Sequence, residues 1–378
     1  MGKEKIRIAL LNSSSDNVFC FRREIIEELA KEGYEVLVSC PYGDMLETMR
    51  DTPFLHENVK MERRGMNILS DFGLCIQYWR FFKNHKPDIV LCYTAKPNVY
   101  GGMISRLLHI PYIINVTGLG SVIKKSGMVQ ALIMSLFKMS YRHAACVFFQ
   151  NNANMHMALE HGMLKGKYQI IPGSGVNIER FPLLPYPEGG DGITGETVIF
   201  NYIGRVLHDK GIDDYIAAAG RIKKAYPNTE FNVVGFIEPT ESHYQQDLEK
   251  LQREGIVCYR GNQKDVKPFL ARAHATIHPS TYGEGMSNAL LESAASGRPL
   301  ITTDNPGCQE TVDDGSTGFI YPGGNVDKLV KSVERILAMK NKERKEMGQK
   351  GRAKMENEFN RRLVVDAYLN EIGRILKR

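Results

Sequence analysis

The stretch Thr276-Ile277-His278-Pro279-Ser280-Thr281-Tyr282-Gly283-Glu284-Gly285-Met286-Ser287-Asn288-Ala289-Leu290-Leu291-Glu292 decides how the chain folds. Its first three residues favour a strand, the run to Gly285 favours a turn, and Met286–Ser296 favours a helix. Strand, glycine turn and helix form the building unit of a doubly wound parallel sheet. Gly283 and Gly285 let a ligand approach the backbone closely. The amides of Met286, Ser287 and Asn288 are then expected to face outward at a helix N-terminus, where anions bind. Glu284 and Glu292 stand roughly 12 Å apart at 1.5 Å per residue. Carboxylates accept two hydrogen bonds each and suit sugar hydroxyls. A nucleotide sugar across the helix start would have its hexose at one carboxylate, its diphosphate at the amides and its ribose at the other. A plain glycine turn with a capping glutamate and a solvated Glu292 is the competing reading.

The same alternation extends in both directions. In the first half, strands are expected at Ile6–Leu11, Glu35–Ser39, Ile89–Tyr93, Tyr112–Val116, Ala145–Phe149 and Gln169–Ile171. Helices are expected at Phe21–Glu32 and Asp71–His85. Seven of the fifteen residues in Pro182–Glu196 are Pro or Gly, which reads as a linker. The alternation then restarts with strands Val198–Ile203, Phe231–Val234, Val257–Tyr259, Thr276–His278 and Leu300–Thr302. Helices lie between them at Asp213–Tyr226, Val266–Ala273 and Met286–Ser296, and the last 18 or so residues are helical. The expected fold is α/β, with two Rossmann-like doubly wound domains at 1–181 and 197–360. A linker spans 182–196, and a helix at 361–378 returns to the first domain. Ligands of such domains bind at the carboxyl ends of the strands, so a cleft between the two is where chemistry is expected.

The composition of the 378 residues, 43% hydrophobic and 24% charged, excludes a disordered, collagen-like or disulfide-scaffold protein. Seven cysteines, an odd number without a C-x-x-C pair, fit a reducing compartment. The apolar run after the N-terminus is too short for a signal peptide, and no apolar stretch reaches the 18 or so residues of a membrane span. A cytoplasmic protein, free or on the inner face of the membrane, is expected. The charge is lopsided. Residues 72–180 hold 12 basic and 3 acidic side chains, whereas residues 181–378 hold 27 of each. A one-sided basic region suits an anionic partner or merely aids solubility.

Several chemistries lack their motifs. No G-x-G-x-x-G follows a strand, which disfavours a nicotinamide dehydrogenase, and there is no P-loop, G-x-S-x-G or H-E-x-x-H. Scattered histidines give no metal site, and no reader module supports nucleic-acid binding. Cys308 has no basic partner that would make it a nucleophile, and His278 is expected to pack at a strand end.

A second motif, Gly204-Arg205-Val206-Leu207-His208-Asp209-Lys210-Gly211, follows the strand Val198–Ile203. It places two cations on a loop at a strand's carboxyl end. Arg205 can hold a phosphate in a bidentate way, and Lys210 adds a point charge.

These motifs together resemble the donor site of retaining glycosyltransferases of family 4, which have the GT-B architecture. G-R-x4-K-G holds Arg205 and Lys210, and E-x7-E holds Glu284 and Glu292. The resemblance covers nearly the whole chain. Ile171–Phe181 and Asn305–Gly318 match further family stretches. Lys96 in YTAKPNVYGG and the loop Thr117-Gly118-Leu119-Gly120-Ser121 resemble bacterial members that extend undecaprenyl-diphosphate-linked sugars for capsule, O-antigen or glycan assembly. The resemblance implies that Arg205 and Lys210, with Gly204 beside them, bind the donor diphosphate and stabilise the leaving group's charge. It implies that Glu292 holds the ribose, that Glu284 with Gly285, Met286, Ser287 and Asn288 holds the transferred sugar, and that Gly261 and Val266 lie near the base. Ser13, Ser14 and Ser15 stand where many members have paired glycines near the diphosphate. Lys96, Thr117 and Gly118 would serve the acceptor. Many members have a histidine where Thr117 stands, which weakens the carry-over at the sugar contact.

The reaction implied is retaining transfer from a nucleotide sugar, expected to be UDP-linked, to a polyprenyl-diphosphate-linked acceptor, with no cofactor and no metal. No opposite-face nucleophile is evident, so front-face substitution is favoured, with the leaving phosphate taking the acceptor's proton. Lys96, Arg106, Lys124, Lys125, Lys138 and Arg142 would suit a lipid diphosphate and an anionic bilayer. The helix Met128–Arg142 reads either as a core helix or as one lying in the membrane interface. A sugar-nucleotide epimerase of the same two-domain shape and a non-catalytic sugar-nucleotide or lipid-binding module are the competing functions.

Overall fold

The computed structural model describes residues 5–62, 67–118, 127–190, 192–193 and 195–377. The chain forms two compact units, one of residues up to Ser174 together with Arg362 onward, the other Gly175–Arg361.

In the first unit seven parallel strands lie in the order β3-β2-β1-β4-β5-β6-β7. They are β1 (Arg7–Leu11), β2 (Glu35–Cys40), β3 (Leu55–Asn58), β4 (Ile89–Tyr93), β5 (Tyr112–Val116), β6 (Cys146–Phe149) and β7 (Lys167–Ile170). Side chains alternate across a strand, so each strand serves two cores. Ala9, Leu11, Val90, Cys92 and Ile114 point to one face, where the helices Ile68–His85 and Gly127–Tyr141 cover them with Leu74, Tyr78, Phe81, Phe82, Phe137 and Tyr141. Ile8, Leu10, Ile89, Leu91 and Ile113 point to the other, under Ile25, Ile26 and Leu29 and under Val364, Tyr368 and Ile372 of the last helix, Arg361–Leu376.

The second unit is a six-stranded parallel sheet, β10-β9-β8-β11-β12-β13. Its strands are β8 (Val198–Ile203), β9 (Thr229–Val234), β10 (Cys258–Gly261), β11 (Ala275–His278), β12 (Leu300–Thr303) and β13 (Gly318–Tyr321). The chain enters and leaves this unit side by side. The Val176 amide donates to Phe359 O at 2.8 Å, and the Arg361 amide donates to Val176 O at 2.9 Å.

Several sequence expectations shift. The first helix begins earlier, at Ser15, and breaks at Arg22 into Ser15–Phe21 and Arg23–Lys31. Arg22 leaves helical geometry, its guanidinium lying 4.2 Å from the centre of the Tyr93 ring. Strands β3 and β13 were not anticipated. The boundary falls after Ser174, not after 181. The segment expected as a linker is docked on the second unit, because Arg298 and Asn341 donate to the carbonyls of Pro185 and Pro187, and Tyr186 donates to His274 O. In the last helix Leu363 is exposed, whereas Val364 and Val365 are buried. Among the described residues no helix is long and apolar enough to cross a membrane.

A fully buried asparagine ties the last helix to its sheet, alongside the pair of Lys167 with Glu371. Asn115, in the middle of the first unit and fully buried, donates to the Tyr368 hydroxyl at 2.8 Å and accepts from Gln150 Nε2 at 3.0 Å. Its own carbonyl accepts from Asn98 Nδ2 at 2.8 Å. Asn115→Ala leaves two buried polar groups without their partner, and orphaned groups of this kind cost about 1–3 kcal/mol each. A fall of the urea midpoint corresponding to about 2–4 kcal/mol is expected; an unchanged midpoint contradicts it.

Candidate functional site

In each sheet the strand order reverses at one place, and loops on either side of that place diverge to leave a crevice. In the second unit the reversal lies between β8 and β11, and the two motifs follow these two strands. The loop after β8 is bound to the loop after β11. Gly211, at φ +73°, lies so close that an added Cβ would be 2.0 Å from Pro279 O. The Thr281 amide donates to Asp209 O at 3.1 Å. This contact brings Lys210 to Glu284, Nζ to Oε1 2.6 Å, with both side chains nearly buried.

The same carboxylate oxygen lies 3.0 Å from Nε2 of His278, the last residue of β11. That nitrogen is also 3.1 Å from Ser287 Oγ, while Nδ1 is buried without a partner among the described residues. The tautomer with its hydrogen on Nε2 therefore satisfies the carboxylate. Burial opposes the charge on Glu284, but Lys210 and His278 outweigh it and hold its carboxyl well below the usual range. Glu284 is thus a permanent anion, unable to act as an acid near neutral pH. Cys308 is fully buried, and burial pushes its thiol far above the ordinary range. It has none of the thiolate character of a nucleophile. His278, Glu284 and Cys308 offer three ligand atoms within 4.8 Å of one another. The carboxylate already carries a cation, the Lys210 ammonium, so the arrangement is satisfied as an ion pair.

Arg205 is paired in the same manner. Its Nη1 lies 3.1 Å from Oε2 of Glu238, just past β9, and the Tyr202 hydroxyl donates to Arg205 O at 2.6 Å. Gly204, at φ +153°, and Gly261, at φ +67°, both have open space where a side chain would stand. Val266 packs partly buried on the apolar cluster that contains Ile203, Leu270 and Met286, at the start of the helix Lys267–Arg272.

The anion-binding amides need correction. The helix begins at Asn288, not Met286, because the Ser287 amide donates to Gly307 O at 2.8 Å. Ser287 is the N-cap, and its amide does not face outward. Met286 is buried, in the core. The Glu284 amide is likewise held, by Pro306 O at 3.1 Å. Glu292 lies within the helix Asn288–Ala295 and is not a solvated surface group. Burial raises its carboxyl to about 7, against the pull of Arg180 and Arg361. Motif reading did not identify the contacts of Glu238 with Arg205 and of His278 with Glu284; Glu310, inside the matched stretch Asn305–Gly318, accepts from the Gly307 amide at 2.8 Å.

The first unit has its own reversal, between β1 and β4. Ser13, Ser14 and Ser15 follow β1. Ser14 caps the helix Ser15–Phe21 through the Asn17 amide at 3.4 Å, and Ser14 and Ser15 are buried. Lys96 follows β4 and pairs with Asp71 at 2.7 Å, whose other oxygen accepts from Tyr100 at 2.9 Å. Thr94 between them holds φ +72°, a costly conformation for a β-branched residue. Thr117 and Gly118 follow β5, partly buried. Leu119, Gly120, Ser121, Lys124 and Lys125 lie outside the described residues.

Residues 7–151 match the family model Glycosyl transferase 4-like, and residues 191–354 match Glycosyl transferases group 1. The chain is 25% identical, over 98% of its length and 100% of the relative's, to N,N'-diacetylbacillosaminyl-diphospho-undecaprenol alpha-1,3-N-acetylgalactosaminyltransferase of Campylobacter jejuni. It is 23% identical, over 82% of both chains, to UDP-Gal:alpha-D-GlcNAc-diphosphoundecaprenol alpha-1,3-galactosyltransferase of Escherichia coli. Anabaena HepE, solved in complex with UDP and glucose, superposes with a TM-score of 0.76 at 17% identity, over 97% of this chain and 99% of its own. The chain belongs to the glycosyltransferases of these two linked families and has the GT-B fold.

The raised carboxyl of Glu292 has a consequence for stability. The unfolded chain releases this proton near 4.5, whereas the folded chain keeps it to about 7. Between those values the native state binds more protons, so stability falls as pH rises through this window and levels off above it. Glu292→Gln removes the fall, and a gain of up to about 3 kcal/mol over the native chain is expected at pH 8 relative to pH 4.5. Chemical unfolding at the two pH values checks it; parallel profiles contradict it.

Proposed function

We propose that the chain moves a hexosyl or N-acetylhexosaminyl group from a UDP-sugar to a hydroxyl of a polyprenyl-diphosphate-linked sugar, with retention, in the assembly of a surface polysaccharide or glycan. One observation carries the donor assignment: two cations on one strand-end loop, Arg205 and Lys210, each held by a carboxylate at the point where the strand order reverses. A diphosphate offers such cations two linked anionic groups on a single ligand, in the bidentate geometry that Arg favours. The names of the two relatives support the acceptor, since both are transferases that act on diphospho-undecaprenol-linked sugars, and that of the E. coli enzyme supports a UDP donor.

In this reading the second unit holds the nucleotide sugar. Arg205 and Lys210 neutralise the charge that develops on the diphosphate as the bond from the anomeric carbon to its oxygen breaks. Glu284, already ionised, accepts hydrogen bonds from the transferred sugar. Glu292 accepts them from the ribose. The acceptor oxygen attacks on the face the diphosphate is leaving, forming the new bond to the anomeric carbon, and its proton passes to the departing phosphate oxygen. No group of the protein acts as nucleophile or base; its contribution is position and charge. Lys96, Thr117 and Gly118 of the first unit serve the acceptor's diphosphate and sugar.

The test is transfer from UDP-sugars to a lipid-diphosphate-linked sugar. Arg205→Ala and Lys210→Ala are each expected to lower kcat about 10²–10³-fold, the range for removing one group that stabilises transition-state charge, with the unfolding midpoint little changed for Arg205→Ala. The new linkage keeps the donor's anomeric configuration in the product's proton spectrum. Undiminished turnover in both variants, or an inverted product, contradicts the proposal.

A further inference from the structure

The loop that carries Arg205 and Lys210 is joined to the segment after β9 by backbone bonds. The Val206 amide donates to Phe236 O at 2.9 Å, and the Glu238 amide donates to Val206 O at 3.1 Å. The β8–β9 pairing therefore runs on past both strands. Two glycines allow it. Gly235, at φ +154°, stands so close to Gly204 that an added Cβ would be 1.8 Å from Gly204 O, and any side chain there would push the segments apart. Each segment is fixed against the other, and Glu238 Oε2 reaches Arg205 Nη1 at 3.1 Å. Only 13% of the Glu238 side chain is exposed. The backbone builds this pair from both sides, unlike a surface ion pair between two mobile side chains.

The reading above uses Glu284 for the transferred sugar but gives Glu238 nothing to bind. A carboxylate beside a cation that grips phosphate opposes the ligand. It repels the incoming anion and must surrender the cation to it. Such a group lowers the affinity for every anion, and most for the anion of highest charge. The two nucleotides that meet this site differ in charge. During transfer the acceptor's proton passes to the departing phosphate oxygen, and above a second phosphate pKa of about 6 it is lost to solvent. UDP is left with one negative charge more than the sugar nucleotide. Arg205 and Lys210 acting alone would hold the spent nucleotide more tightly than the donor.

We infer that Glu238 is an internal competitor for Arg205, which lowers the affinity of the second unit for UDP more than for the sugar nucleotide and so speeds release of UDP. It acts through Arg205 and touches no reacting atom. The inference rests on the donor reading above and adds to it a discrimination that the two cations do not supply. Specificity of this kind is a difference between two affinities, and a repulsive element creates it. Product release sets kcat in many enzymes, so the discrimination bears on turnover.

Glu238→Gln keeps the shape and an oxygen that accepts from Arg205, and removes the charge. The full chain and the variant are titrated calorimetrically with UDP and with UDP-glucose and UDP-N-acetylgalactosamine. In the variant the Kd for UDP is expected to fall at least about fivefold, the scale of one charge-assisted hydrogen bond no longer broken on binding. The Kd for the sugar nucleotides is expected to fall by less than half that factor. Product inhibition by UDP tightens in step, and kcat falls. Glu241, whose Oε2 accepts from the His208 amide at 2.7 Å, is the control from the same segment, and Glu241→Gln should leave the ratio of the two affinities unchanged. Matching unfolding midpoints establish that both variants fold.

Weaker binding of UDP by Glu238→Gln would give Glu238 the plain task of keeping Arg205 in place and would overturn the inference. Unchanged affinities, equal gains for UDP and the sugar nucleotides, or the same shift in Glu241→Gln would overturn it too, while the donor reading stands. Failure of the native chain to bind any of the sugar nucleotides sinks the donor reading, and this inference with it.

Discussion

A single ion pair, Lys210 to Glu284 at 2.6 Å, fixes the relation between the two loops on which the donor assignment depends. Both groups are nearly buried, so neither tolerates loss of the other without an uncompensated charge. His278 adds a hydrogen bond to the same oxygen from the end of β11. The carboxylate is thereby held from the loop after β8 and from the end of β11. A cation kept in this state is stored. It stays ordered and charged, and only another anion of better geometry can take it over. Arg205 with Glu238 repeats the arrangement.

The first unit uses the same device. Lys96 lies against Asp71, itself bound by the Tyr100 hydroxyl. The neighbouring Thr94 keeps its unfavourable φ of +72°, a strain that the surrounding contacts must hold in place. Both units thus carry, just beyond the carboxyl ends of their strands, a lysine paired to a carboxylate. In both, the cation is ordered by its carboxylate partner.

Much of this was readable from the sequence because buried parallel strands are continuous apolar runs. β4 (Ile89–Tyr93), β5 (Tyr112–Val116) and β8 (Val198–Ile203) stand where the pattern put them. β3 did not show, since Leu-His-Glu-Asn at a sheet edge has little apolar signal, and β13 begins with a glycine. The helix after the Glu284 loop starts two residues late for a non-local reason, the bond from Ser287 to Gly307. The Pro/Gly-rich segment had the composition of a tether but is held by Arg298 and Asn341, far along the chain. Arg205 and Lys210 were legible through their spacing after a strand. Their carboxylate partners were not both legible as partners, because Glu238 is 33 residues from Arg205 and only the closing of β8 onto β9 brings it near.

Calorimetric titration with UDP, UMP and uridine tests the proposed grip of Arg205 and Lys210 on a diphosphate. The second phosphate is expected to contribute more than tenfold in affinity, and this increment is expected to vanish in Arg205→Ala. Equal affinities for UDP and UMP in the native chain would contradict it.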